Sequence, residues 1–333
     1  MTFASSYTDI MATTIESRSK KIADNVTNNN AILSRLSTKG KIKTFSGGDK
    51  ILQELSFSEN SNAGWYSGYD LLPVGTSDVI SAAVFDIKQA AVPVVISGLE
   101  MLQNSGREKM IDLLEARLEV AESTLSNLIT GGLYGDGTAS NNKEIDGLQA
   151  MIPLTPETTT YGGIDASQFE FWQNAVNQVT GPTAETIQSE MNNLWVQLVR
   201  GQDRPDIIMA DNTMWTLYLD SLQAQQRFSN TNSADSGFVT VKYMDADVVL
   251  DGGMYDVNGS GSVTEATGAP AGTMYFLNCD YLHYRPHSAR NMVPLSPNKR
   301  YSTNQDAEVQ IIAWAGNLTC SGRKFQGILS SEA

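Results

Sequence analysis

The sequence predicts an α+β fold, and three observations carry that prediction. Residues 105–130 hold one long helical stripe, in which Ile111, Leu114, Leu118, Ala121, Leu125 and Leu128 recur at spacings of three and four. Strand-like alternation lies on both sides of it, in residues 41–96 and again in residues 307–329. Residues 141–300 pass repeatedly from helical to strand patterns. The 333-residue chain is long enough for one large domain or two ordinary ones, and its 41% hydrophobic, 18% charged composition is that of a globular protein with few charges.

Residues 1–40 are polar and rich in Ser, Thr and Asn, with a weak helical pattern at Ile10, Met11, Ile15, Ile22 and Val26. They read as an N-terminal arm with little core of its own. Residues 41–96 read as extended structure. Thr44 and Phe45 open a strand-like stretch, Leu55 and Phe57 alternate with Ser56 and Ser58, Phe85 and Ile87 alternate with Asp86 and Lys88, and VPVVI follows at 92–96. Between the two strand regions lies the turn-rich ENSNAGWYSGYDLLPVG, so the whole predicts a long hairpin. Such a hairpin is marginal alone in water and should rest on its own domain or on a neighbour.

The long helix opens with Ser105 and Glu108 at the spacing of a capping box. Glu115, Arg117, Glu119 and Glu122 lie largely off the apolar face, and Gly131 and Gly132 are expected to stop the helix. At 1.5 Å per residue it spans roughly 35–40 Å. A second helix is expected over 182–200, with Ile187, Met191, Leu194 and Leu198 as its stripe and Gly201 as its end. PDIIMA (205–210) reads as a short buried strand, and Asp211 as the N-cap of a helix carrying Met214, Leu217, Tyr218 and Leu222. VTVKYM (239–244), DVVLDG (247–252) and TMYFLN (273–278) read as strands, the last after the Gly/Ser loop VNGSGSVTEATGAPAG (257–272). AEVQIIAWAGNLTC (307–320) is strand-like, and KFQGIL (324–329) is expected to continue it beyond a turn at SGR.

The net charge of −14 and pI near 4.6 oppose binding to DNA or to anionic membranes. The N-terminus lacks the basic and apolar regions of a signal peptide, and no apolar run reaches the ~18 residues of a membrane span. Two cysteines without a CxxC motif give no disulfide framework or zinc ribbon.

GGLYGDGT (131–138) has the glycine spacing of a phosphate loop. It lacks the lysine, which Thr138 replaces. Asp136 adds the wrong charge, and the loop follows a helix where a phosphate loop follows a strand. A helix end followed by a tight turn, braced by the Asp136 side chain, accounts for it better. Cys279, Asp280, His283 and His287 are close in sequence but lie on strand and turn, where spacings of four do not share a face; a buried thiol and ordinary loop histidines are the simpler account. Asp256–Gly259 begins like a calcium loop without the remaining ligands. The nucleophile elbow G-x-S-x-G is missing, and nothing groups two acids into a catalytic pair. No catalytic residue, metal or cofactor is therefore expected. The strongest functional signal is the aromatic hairpin tip Trp65, Tyr66 and Tyr69, since Trp and Tyr are favoured anchors at protein interfaces.

Taken in order, these elements resemble the major capsid proteins of tailed bacteriophages, the Hong Kong 97-type fold. GLYGDGTASNNKEIDGLQAMI (132–152) is similar to that family's turn after its spine helix, and RPDIIMADNTMWTLYLDSLQAQQRF (204–228) to its strand–helix unit ending in Arg-Phe. TMYFLNCDYLHYR (273–285) is similar to its Y-x-L-N strand, and AEVQIIAWAGNLTCSGRKFQGIL (307–329) to its closing strands. The resemblance implies an N-arm at 1–40, an extended E-loop at 41–96, a peripheral P-domain at 97–145 completed by 301–333, and an axial A-domain at 146–300. It further implies a structural shell protein of the virion, made in the host bacterial cytoplasm. Its copies would form hexamers and pentamers that enclose double-stranded DNA without sequence-specific binding. A portal and a decoration protein are implied as partners. The short stretch before the hairpin argues for a separate scaffolding protein in place of a fused one. An encapsulin-like nanocompartment shell shares the fold, and a soluble α+β enzyme is the alternative from another class.

Overall fold

The computed structural model of the chain describes residues 30–58, 60, 62–71, 75, 79–103, 107–223, 240–251, 254–255, 263–265, 268–295, 300–301 and 307–331. The arm positions Ile10 to Val26, the capping residue Ser105, Arg227–Phe228 and the Asp256–Gly259 turn lie outside these residues, as do the side chains of Glu108, Ile111 and Leu114.

Helix α1 (Ala31–Thr38) is capped by Asn30, whose Oδ1 accepts from the amides of Ile32 (3.0 Å) and Leu33 (3.1 Å). Ile32, Leu33 and Leu36 are fully buried, so the end of the expected arm belongs to the core. Strands β1 (Lys50–Ser56) and β2 (Ile80–Asp86) form an antiparallel hairpin in register from Lys50↔Asp86 to Ser56↔Ile80. Strand β3 (Lys88–Ser97) leads through the short helix α2 (Gly98–Gln103) to the 28-residue helix α3 (Arg107–Tyr134), which lies against β3.

The buried stripe of α3 reads Leu118, Ala121, Leu125, Ile129, Leu133. Leu128, expected in that stripe, sits at its rim and is half exposed. The helix also runs through Gly131 and Gly132, where the sequence places its stop. Each glycine costs a helix interior about 1 kcal/mol. Burying Leu133 and Tyr134 returns roughly 1.5–3 kcal/mol per side chain, so tertiary burial overrides the local signal.

Beyond α3 the chain doubles back. Asp136 Oδ1 accepts from the Thr138 amide at 2.9 Å, the expected side-chain brace of the turn. Ser140, Asn141 and Asn142 then all take positive φ, between 53° and 60°, a left-handed turn that L-residues adopt only under constraint. Lys88 supplies part of that constraint: its Nζ donates to Asn142 O at 2.7 Å and pairs with Asp146 at 3.5 Å. Asn317 supplies more, donating to Asp146 Oδ2 (2.7 Å) and to Asp86 O (2.9 Å). Gly147 then crosses the end of α3 so closely that a Cβ there would stand 2.4 Å from Gly132 O and 2.6 Å from the carbonyls of Leu133 and Gly135.

The small strands β4 (Thr160–Tyr161) and β5 (Ile164–Asp165) pair with each other. There follow β6 (Ala175–Gln178), α4 (Ile187–Leu198), β7 (Ile207–Ala210), α5 (Asn212–Gln223), β8 (Thr240–Tyr243) and β9 (Ala246–Leu250). Asp211 caps α5, its Oδ2 accepting from the Thr213 amide at 3.0 Å, as the sequence suggests. A two-stranded ribbon, β10 (Met254–Tyr255) and β11 (Val263–Glu265), precedes β12 (Thr273–Leu277), β13 (Leu282–Pro286), β14 (Val293–Pro294), β15 (Arg300–Tyr301), β16 (Ala307–Cys320) and β17 (Gly327–Ser330).

Two sheets result. One is six-stranded and mixed, in the order β6-β17-β12-β7-β9-β8. Both its faces are covered, which is why its strands read as unbroken apolar runs. Ile208, Ala210, Met274 and Phe276 pack under Met191, Leu194, Met214 and Tyr218 of α4 and α5. Ile207, Met209, Tyr275 and Leu277 face the core shared with α1, α3 and the hairpin. The other sheet is built on β16, which pairs with β3 along one edge and with β13, β14 and β15 in turn along the other.

KFQGIL does not continue β16 as expected. Strand β17 leaves that sheet and inserts between β6 and β12 of the other. Ile328 and Leu329 point to opposite faces and are both buried, which requires a sheet covered on both sides. Strands β13–β15 pair with β16, so the two sheets exchange strands across residue 300.

Two glycines near the end of α3 should respond oppositely to alanine. Gly147→Ala is expected to cost roughly 2–4 kcal/mol, because its Cβ meets three backbone carbonyls that cannot yield. Gly132→Ala is expected to stabilise by about 0.5–1 kcal/mol, since its Cβ only touches Ile145 at 3.6 Å inside a helix. Urea unfolding of the two variants checks both signs.

Candidate assembly surface

The hairpin has a fixed base and an uncovered tip. Strand β1 alternates, turning Ile51, Gln53 and Leu55 inward and Lys50, Leu52 and Glu54 outward. Opposite them, Ala83 and Phe85 of β2 are buried. Phe85 meets Tyr161 edge-on at 5.1 Å, and Phe57 meets Phe171 at 5.8 Å. The Val84 amide donates to Gly162 O at 2.8 Å. Gly162 allows this approach: it has φ +60°, and a Cβ there would stand 2.9 Å from Phe85 Cζ. Gln53 Oε1 accepts from Arg285 Nη2 at 2.8 Å. The base therefore rests on its own chain, one of the two supports the sequence left open.

The tip has its own local order. Asn62 Nδ2 donates to Gly75 O at 2.7 Å, and the Ser67 amide donates to Asp70 Oδ2 at 2.8 Å. Its apolar groups nevertheless stand largely uncovered among the described residues. Trp65 and Tyr69 are 107% and 106% exposed, Leu71 98% and Tyr66 67%. The exposed stripe continues down the outer face of the hairpin through Leu52 and Ile80. A monomer rarely shows so many large exposed apolar groups along one hairpin without a use for them. Covering three such rings, at about 150–250 Å² each and ~25 cal/mol per Å², is worth on the order of 10 kcal/mol before the entropy of ordering is subtracted. The structure brings Trp65, Tyr66 and Tyr69 onto one short segment.

The other sequence candidates do not converge. The turn after α3 holds Asp136 where a phosphate would have to bind, and bonds from the Thr138 amide and hydroxyl hold that carboxyl below its usual range. Cys279 is fully buried, and burial pushes its thiol up. Asp280 is taken by Lys39 and Lys41. His287 sits edge-on to Phe45 at 4.9 Å, its Nδ1 accepting from the Ala289 amide. Among the described residues no three His, Cys, Asp or Glu side chains could share a metal ion. No described helix is long and apolar enough to cross a membrane.

Two features escaped the sequence. Asp206 gathers Arg35 (3.1 Å) and Lys39 (3.2 Å), and Lys39 also reaches Asp280 (3.2 Å), which locks α1 to the start of β7 and to the turn before β13. An open cleft of about 260 Å³ lies between α3 and the left-handed turn, with Leu128, Ile129, Gly132, Ala90 and Trp314 among its walls. Partners about 170 and 240 residues apart leave no local signal.

Trp65→Ala and Tyr69→Ala are expected to leave the unfolding free energy of the isolated chain within ~0.5 kcal/mol of the parent. Phe85→Ala, at the base of the same hairpin, is expected to cost roughly 3–5 kcal/mol. Equal losses at tip and base in denaturant titrations would show that the tip rings are core.

A scan against protein-family models and a search of curated proteins give no match to the sequence. Solved structures do match. The chain superimposes on a subunit of the cyanophage A-1(L) capsid asymmetric unit with a TM-score of 0.64 at 16% identity, over 88% of this chain and 90% of that one. A chain of the native GTA particle capsid gives a TM-score of 0.56 at 10% identity, over 90% of each chain. One from the satellite phage P4 procapsid that includes the size determination protein gives 0.51 at 11% identity, over 94% and 90%. The fold is the α+β fold of phage major capsid proteins, the Hong Kong 97 type.

Proposed function

We propose that this chain is the structural shell protein of a tailed phage. Its copies assemble into hexamers and pentamers that close an icosahedral capsid around double-stranded DNA. The observation that carries the reading is the hairpin tip: Trp65, Tyr66 and Tyr69 stand exposed among the described residues, on a fold shared along nearly its whole length with capsid subunits. In this reading the tip anchors each subunit on a second copy. The hairpin within 41–96 serves as the E-loop, and residues 1–40 as the N-arm. The long helix with the β16 sheet serves as the P-domain, and the six-stranded sheet with α4 and α5 as the A-domain.

The net charge of −14 supports a container that holds nucleic acid without gripping it. The role is structural, with no catalytic residue and no cofactor, and its place is the virion after folding in the host bacterial cytoplasm. A portal, a separate scaffolding protein and a decoration protein are the partners this role calls for. An encapsulin-like compartment is not favoured, because the matching structures reported above are phage capsids and a gene transfer-type capsid particle.

Electron microscopy of the purified protein, alone and co-expressed with neighbouring genes, tests the reading. Closed shells are expected with a scaffolding partner. A monodisperse monomer or dimer under every assembly condition would overturn the proposal. Uniform closed shells from the protein alone would remove only the scaffolding partner. Trp65→Ala is expected to lower shell yield at least about tenfold while the soluble subunit persists, a loss of ~1.4 kcal/mol or more per contact.

A further inference from the structure

Residues 41–45 run beside β13 as a short parallel partner. The Tyr284 amide donates to Lys41 O (3.2 Å), the Lys43 amide to Tyr284 O (3.0 Å) and the Phe45 amide to Pro286 O (3.2 Å). On its other edge β13 pairs with β16, with His283 opposite Thr319. The seam of 41–45 therefore fixes the chain just before it enters the hairpin.

His283 stands on this seam in an environment of one sign. It is 6% exposed, and its Nδ1 has no hydrogen-bond partner. The charges that act on it are Lys43 and Lys41 from the segment and Arg285 from β13, all cations. Strand β16 offers the uncharged Thr319, whose hydroxyl donates to His283 O. From β1, Gln53 takes an Arg285 N–H, and Glu54 acts on Arg285. From α1, Arg35 and Lys39 are held by Asp206, Asp247 and Asp280, and Asp280 also holds Lys41. No carboxylate among the described residues pairs with His283 itself.

We propose that the seam between residues 41–45 and β13 is a proton-operated clasp, in which protonation of His283 loosens the segment that leads into the hairpin. A proton from solvent adds a positive charge to a buried ring already faced by three cations. The charge can be relieved by moving Lys41 and Lys43, which are borne by the side of the seam that pairs with no further strand among the described residues.

Burial and these cations hold the imidazole down at about 4, from an ordinary 6.5. The sign follows. The folded form binds the proton more weakly than the unfolded one, so the seam is intact above pH 6.5 and weakens as pH falls from there toward 4.

Hydrogen exchange on the unassembled chain, corrected for intrinsic rates, tests the clasp. Between pH 7 and pH 4.5 the amides of 41–45 are expected to lose at least about tenfold in protection relative to those of β12. His283→Gln is expected to keep its protection ratio within about twofold over the same range. Lys43→Gln is expected to shrink the loss, since it removes the first of the opposing charges. Undiminished loss in His283→Gln, or unchanged protection in the parent chain, would overturn the proposal. Should His283→Gln fail to fold, the Lys43→Gln result decides: a loss equal to the parent's rejects the clasp, and a smaller one supports it.

Discussion

The rest of the architecture depends on the pairing of β16 with β3. Ten residue pairs, from Ala307↔Ser97 to Gly316↔Lys88, join segments more than two hundred positions apart. That ladder forms the floor on which α3 lies, and its far edge receives β13, β14 and β15. Just past its end, Asn317 bonds both Asp86 of the hairpin and Asp146 of the turn after α3. One strand thus sets the position of the long helix, the exit of the hairpin and the strained turn. Without it, three left-handed residues in succession would lose part of what holds them.

Much of this was legible in the residues. The stripes of α3 and α4, the unbroken apolar strands β7 and β12, the Asp211 cap and the aromatic tip all depend on local patterning, which sequence carries directly. What failed depended on partners far along the chain. Gly131 and Gly132 carry a local stop signal, yet the cores waiting for Leu133 and Tyr134 outweigh it. Ile328 and Leu329 read as a continuation of β16 because nothing local says that β6 and β12 leave a gap between them. Residues 31–38 look polar enough for an arm, but three of them are fully buried, and the ion pairs of Arg35 and Lys39 appear only once Asp206 and Asp280 are placed. Of the tip, the identity of the rings was readable and their complete exposure was not.

Where the molecule buries charge, it does so at joints. Arg323 is fully buried at the turn between β16 and β17 and has no carboxylate partner among the described residues. Its guanidinium donates to Met151 O and to Thr159 Oγ1 and lies over the Tyr161 ring at 5.6 Å. Burial lowers its affinity for the proton, to about 10, which leaves it charged at neutral pH. A buried cation held by carbonyl, hydroxyl and ring, its Nη1 without a hydrogen-bond partner and no acid beside it among the described residues, cannot be released by acidifying the solvent. The joint between the sheets and the seam at His283 therefore answer to pH in different ways.

The placement of β17 has a bearing on how the chain is made. Strand β17 occupies an interior position of the six-stranded sheet, and β16 the interior of the other, yet in chain order they follow every other described strand. Neither sheet can close until residues 307–330 have been made. Until then β6 and β12 each lack a partner on one edge, and β3 lacks the neighbour it pairs with among the described residues. The two sheets are thereby completed together, by the single stretch 307–330.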